Sequence, residues 1–107
     1  MKPDHQLRAA LCALPDVVES RSRFGSRRNP AWFVDGREFA HLHSESLLDL
    51  RLPRATQARL RKDSRAHFRR QASAWLELEF HTARDVVDLL ALAKQAAAAA
   101  RRGSDVP

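Results

Sequence analysis

Asp35-Gly36 stands between two runs that alternate in the manner of strands, Ala31 to Val34 and Arg37 to His43. An Asp-Gly pair there is the strongest short-range signal for a two-residue hairpin with a type I′ turn, because both central residues of that turn need positive φ. Such a turn fixes the register by opposing Val34 to Arg37. Counting outward predicts Phe33 opposite Glu38, Trp32 opposite Phe39 and Ala31 opposite Ala40, with His41 and His43 continuing on the side of Trp32 and Phe39.

Leu47 to Leu52 alternates again. A three-residue connection, Ser44-Glu45-Ser46, pairs Leu42 with Leu48, Ala40 with Leu50 and His41 with Asp49. One residue more in the loop would oppose leucine to aspartate and turn every side chain to the other face. The three-residue loop is therefore preferred, and the segment reads as a three-stranded meander with two unlike faces. The apolar face is predicted to hold Phe33, Ala40, Leu42, Leu48, Leu50, Leu76, Leu78 and Phe80. The opposite face would show Trp32, Phe39, His41, His43, Asp49, Arg51, Trp75 and Glu77.

The flanks supply what covers the apolar face. Leu7, Ala10, Leu11 and Leu14 recur at helical spacing before Pro15, which predicts a first helix over 5–14. Val17 to Ser20 follows as a brief edge strand. Arg21 to Pro30 carries four arginines, a glycine and a closing proline, the composition of an irregular basic loop. Pro53 opens a helix to about Lys62, Asp63-Ser64 turns the chain, and Ala66 to Arg70 is read as a short strand. Trp75 to Phe80 alternates as a strand with one buried face, and Thr82-Ala83-Arg84-Asp85 has the form of a capping box. The last helix presents Val86, Leu89, Leu90, Ala93 and Ala97 on one stripe, is stopped at Gly103, and leaves a frayed tail over 104–107. An antiparallel sheet with helices that must cover one face is an α+β two-layer sandwich.

Composition narrows the function classes. At 107 residues the chain is long enough for one small core, and a single domain with its core over about 5–102 is expected. The formal net charge is +6, but sixteen of the nineteen basic residues are Arg and Ala is abundant, a pairing that GC-rich coding yields without selection for polyanions. Nucleic acid, held by Arg21, Arg23, Arg27 and Arg28, is accordingly not the favoured partner. A single cysteine, Cys12, excludes an internal disulfide and a multi-thiolate metal site. No apolar run is long enough for export or membrane insertion, and a cytoplasmic location with no membrane partner is expected.

The polar face carries the candidate chemistry. His41 and Asp49, as cross-strand neighbours, would have Cβ atoms about 4.5–5.5 Å apart, so the carboxylate could fix the imidazole tautomer. With Arg51 as anion stabiliser, these are the candidate catalytic residues, and no nucleophile stands beside them. Trp32, Phe39 and Trp75, with His43, would wall a site for a planar aromatic ligand, or serve as the contact of a homodimer. His41-x-His43 points two imidazoles to one side, and His67, Asp49 or Glu77 could extend the set. Two histidines do not make a metal site, however, and neither a metal nor another cofactor is expected.

The strings Ser22-Arg23-Phe24-Gly25, Asp35-Gly36-Arg37-Glu38-Phe39-Ala40-His41-Leu42-His43 and Leu48-Asp49-Leu50-Arg51-Leu52-Pro53, with the later Trp75, resemble the small bacterial members of the luciferase-domain family, named after fungal luciferase. The resemblance runs from about Leu14 to Ala100. It implies an α+β fold and oxygen-dependent chemistry on a hydroxylated aromatic or pyrone. The motif positions it carries across are His41, His43, Asp49 and Arg51.

Overall fold

The computed structural model describes residues 1–22, 29–69 and 73–103. They form α1 (Pro3–Cys12), β1 (Val18–Arg21), β2 (Pro30–Val34), β3 (Arg37–Ser44), β4 (Leu47–Arg51), α2 (Arg54–Arg59), β5 (Ala66–His67), β6 (Trp75–Glu79) and α3 (Ala83–Arg101). The six strands make one sheet in the order β1-β2-β3-β4-β6-β5, and every neighbouring pair is antiparallel. The α+β architecture expected from the sequence is the one observed. Arg23–Arg28 of the basic loop, the end of the strand expected over Ala66 to Arg70 and the expected tail lie outside the described residues. Among those described, no helix is long and apolar enough to cross a membrane.

Asp35 (φ 52°) and Gly36 (φ 75°) both adopt positive φ, as a type I′ turn demands. Val34 opposes Arg37 and Phe33 opposes Glu38, but Trp32 opposes Ala40 and Ala31 opposes His41. Phe39 is the extra residue of a β-bulge, so two residues of β3 face the single Trp32. This shift corrects the expected faces. Trp32 and Phe39 belong to the helix-covered core at 0% exposure, whereas Phe33 stands outside the core cluster and pairs with Glu38.

A second irregularity follows on the same strand. Leu42 pairs with Leu48, Ala40 with Leu50 and His41 with Asp49, as the sequence predicts, and Ser44 then pairs with Leu47, passing over His43. The turn is thus tightened to Glu45-Ser46: Ser44, assigned to the loop, joins β3, and His43 becomes the bulged residue. Two bulges therefore bracket His41. Such irregularities re-aim side chains while keeping the ladder in register on either side.

One continuous core lies between the sheet and the helices. It joins Leu7 and Leu11 of α1 to Trp32, Phe39, Leu48, Leu50, Leu76, Leu78 and Phe80 of the sheet and to Val86, Leu89, Ala93 and Ala97 of α3. The alanines allow α3 to approach closely while retaining the highest helix propensity. Thr82 caps α3, accepting from the Asp85 amide while the Asp85 carboxylate accepts from the Thr82 amide, and this is the capping box read from sequence. Arg37 Nη1 donates to the Ala100 carbonyl at 3.1 Å, tying the hairpin to the far end of the same helix.

Candidate functional site

On the face away from the helices, cross-strand pairing draws Ser20, Ala31, His41, Asp49, Glu77 and His67 into one row that crosses all six strands. The central three of the row are His41, Asp49 and Glu77. Arg51 and Trp75 form the adjacent pair on β4 and β6. The row exists because the bulge at Phe39 turns His41 to the same side as Glu38. In a regular strand, residues three apart point to opposite faces.

His41 is 7% exposed and lies between two buried carboxylates. Its Nδ1 is 2.9 Å from Glu38 Oε2, and its Nε2 is 2.8 Å from Asp49 Oδ2. Ser22 Oγ donates to the same Glu38 oxygen at 2.9 Å. Glu38, at 6% exposure, and Asp49, at 1%, are held in the sheet by this chain. The ring of Trp75 packs against His41, with centroids 4.9 Å apart and planes inclined by 48°. Buried and flanked by a carboxylate on each side, the imidazole stands directly behind the Asp49 carboxylate.

Around this buried pair is a more open rim. His43 is exposed, Glu77, Arg51 and Trp75 are half-buried, and Arg69 is exposed. Arg69 Nη2 reaches Asp49 Oδ1 at 3.5 Å. His43 Nδ1 is 4.0 Å from Asp49 Oδ2, too far for a hydrogen bond. One ligand-capable atom from each of His43, Asp49 and Glu77 can be chosen so that all lie within 4.8 Å of one another. His67, the other histidine considered on this face, is drawn to Glu79, which also meets His81 Nε2 at 3.1 Å.

Toward β1 the same face opens into a groove of about 300 Å³ lined by Val18, Ser20, Arg21, Phe33, Asp35 and Gly36. Small-molecule sites begin at roughly this size. Arg21 is the described member of the basic set Arg21, Arg23, Arg27 and Arg28, and it is exposed on the edge strand.

Of the residues singled out from sequence, the structure brings His41, His43, Asp49, Arg51 and Trp75 together on one face. It separates Trp32 and Phe39 from them, because both are in the core; Trp32 Nε1 donates to Cys12 Sγ on α1 at 3.5 Å. Sequence reasoning missed Glu38, Ser22 and Arg69 as parts of the His41–Asp49 network. The signal for Glu38 was an acidic residue inside the Glu-Phe-Ala-His string, where strict alternation placed it away from His41. Only the bulge brings the two together.

A comparison with protein families matches the luciferase domain over residues 36–96, a span that includes His41, His43, Asp49, Arg51, Trp75 and Glu77. Among curated proteins and solved structures, none matches this chain.

Proposed function

The chain belongs to the luciferase-domain family, and we propose that its polar sheet face binds a small planar ligand, a hydroxylated aromatic or pyrone. The observation that carries this reading is His41 buried between Glu38 and Asp49 against the Trp75 ring. Keeping two carboxylates and an imidazole in a sheet is costly unless the arrangement serves a site, since buried charge must be held in networks of this kind. Trp75 offers a flat apolar wall, while Arg51, His43 and Glu77 supply polar contacts at the rim. His41 acts through Asp49 as a positioning residue, because it is buried and its Nε2 lies 2.8 Å from the Asp49 carboxylate. The oxygen-dependent chemistry of the family's namesake is the reaction class for which a hydroxylated ring held here would be a substrate.

Calorimetric titration with a panel of hydroxylated aromatics and pyrones, paired with oxygen-uptake measurements, tests the reading. Saturable binding at one site, weakened at least tenfold in Trp75→Ala with the fold retained, is the expected result. No binding across the panel, or binding indifferent to Trp75→Ala, would refute it.

A homodimer is the second reading, and it now rests on β1 rather than on Trp32. All four residues of this edge strand are exposed, and Val18 is 62% exposed. An unprotected edge offers a row of backbone groups to a second chain. Sedimentation of the wild type against Val18→Lys distinguishes the two: a dimer lost in the variant supports pairing through β1, and a monomer at high concentration removes it.

A further inference from the structure

We propose that His43, Asp49 and Glu77 bind a divalent first-row transition-metal ion on the face of the sheet away from the helices. Their nearest ligand atoms lie within 4.8 Å of one another. Metal–ligand bonds of about 2.0–2.2 Å place neighbouring ligand atoms roughly 3 to 3.5 Å apart, so closure requires only a modest contraction. His43, whose side chain is 57% exposed, and the half-buried Glu77 are free to supply it.

Three further observations point to a cation rather than to a chance meeting of polar side chains. First, the three groups converge without satisfying one another. His43 and Asp49 stand at 4.0 Å, and among the described residues the Glu77 side chain makes no hydrogen bond or ion pair. Second, Asp49 and Glu77 are directly opposed across β4 and β6, an arrangement of like charges that a cation between them relieves, and the exposed Arg69 guanidinium touches Asp49 only at 3.5 Å. Third, the buried ligand is oriented from behind. Ser22 donates to Glu38, Glu38 meets His41 Nδ1, and His41 Nε2 meets Asp49, the kind of outer-shell support that fixes metal-binding carboxylates. The other His/carboxylate cluster, His67–Glu79–His81, lacks this feature: its carboxylate is exposed and already engaged by both imidazoles.

One neutral imidazole and two carboxylates neutralise a divalent ion. A nitrogen with two oxygens and no thiolate suits Mn²⁺, Fe²⁺ or Zn²⁺ in preference to the all-oxygen sites of Ca²⁺ and Mg²⁺. Three protein ligands also leave coordination positions open. Resting on the ligand-site reading above, this deepens it: the hydroxyl and carbonyl oxygens of a planar ligand stacked on Trp75 would be able to fill those positions.

The test is calorimetric titration of the chelator-treated full chain with Zn²⁺ alone, alongside Mn²⁺-induced broadening of assigned amide resonances. The proposal expects one ion per chain. Glu77→Gln and His43→Ala should each weaken binding at least tenfold, His81→Ala should leave it unchanged, and broadening should centre on residues 43, 49 and 77. Both site variants alter side chains outside the core, so the answer does not depend on Asp49→Ala folding. Absence of stoichiometric binding overturns the proposal, as does binding that survives both site variants or disappears in His81→Ala. Because no organic ligand is present, failure here alongside retained binding of the planar ligand rejects the metal alone.

Discussion

Asp49 and Glu77 face one another directly across β4 and β6, two carboxylates on the same side of the sheet. Asp49 is 1% exposed, so water does little to screen the pair. In metal-free protein, Glu77→Gln should therefore raise stability by about 0.2–1 kcal/mol, the scale of cross-strand charge pairs. Urea unfolding in chelator reads this directly. Repeating it in Zn²⁺ should reverse the order, because an ion that binds only the folded wild type stabilises it.

His41 separates Asp49 from a second buried carboxylate, that of Glu38, with its ring nitrogens 2.8 and 2.9 Å from the two. Removing it in His41→Ala leaves both without that partner. Leaving a buried polar group short of a partner costs about 1–3 kcal/mol, more for a charged group, and chemical denaturation should show a loss of that order. A loss below about 1 kcal/mol, the range of exposed pairs, would mean that the chain from Ser22 to Asp49 does not hold the site.

Trp32 is wholly buried, with its indole nitrogen on Cys12 of α1. Trp32→Ala should cost about 3–5 kcal/mol as a core truncation and leave the sedimentation behaviour of the folded fraction unchanged. An altered association state at undiminished stability would restore Trp32 to a surface role.

Arg65 joins the turn before β5 to the start of α3 by reaching Asp63, Asp85 and Asp88, each at 2.9 Å. The Arg65 hydrogen bond holds the Asp63 carboxyl below its ordinary range. Asp85 is lowered first by the His81 amide, with Arg65 adding to it. A carboxylate depressed on folding contributes stability that is whole above its unfolded pKa of about 4 and is lost as pH falls through the folded value. Arg84, facing Asp88 at 3.3 Å, is the other cation of the cluster. Thermal melts of wild type and Arg65→Met should differ at pH 7 and converge toward pH 3. A constant difference would show that Arg65 acts through packing alone.

Much of this architecture was legible in local pattern. Asp35-Gly36 gave the hairpin, the leucine alternation in β4 gave the pairing of His41 with Asp49, and Thr82 with Asp85 gave the start of α3. What the pattern could not carry was the pair of bulges at Phe39 and His43. Strict alternation has period two, and an inserted residue changes the face of everything counted past it without leaving a glycine or proline to mark the place. Hence Trp32 and Phe39, counted onto the polar face, lie in the core, while Glu38, counted away from His41, touches it. The contacts that Ser22 and Arg69 make fared likewise. Ser22 and Arg69 reach Glu38 and Asp49 from outside the hairpin, and no sequence spacing links them.

The chain's two tryptophans provide the most direct measurement of the central claim, since Trp75 borders the proposed ligand site and Trp32 lies in the core on the other side of the sheet. Their indole N–H resonances can be followed together while a hydroxylated pyrone or aromatic is titrated into the protein. The account predicts a saturable shift of Trp75, accompanied by the ring resonances of His43, with Trp32 stationary. No movement of Trp75 for any such ligand in folded protein, or movement of Trp32 alone, would contradict it.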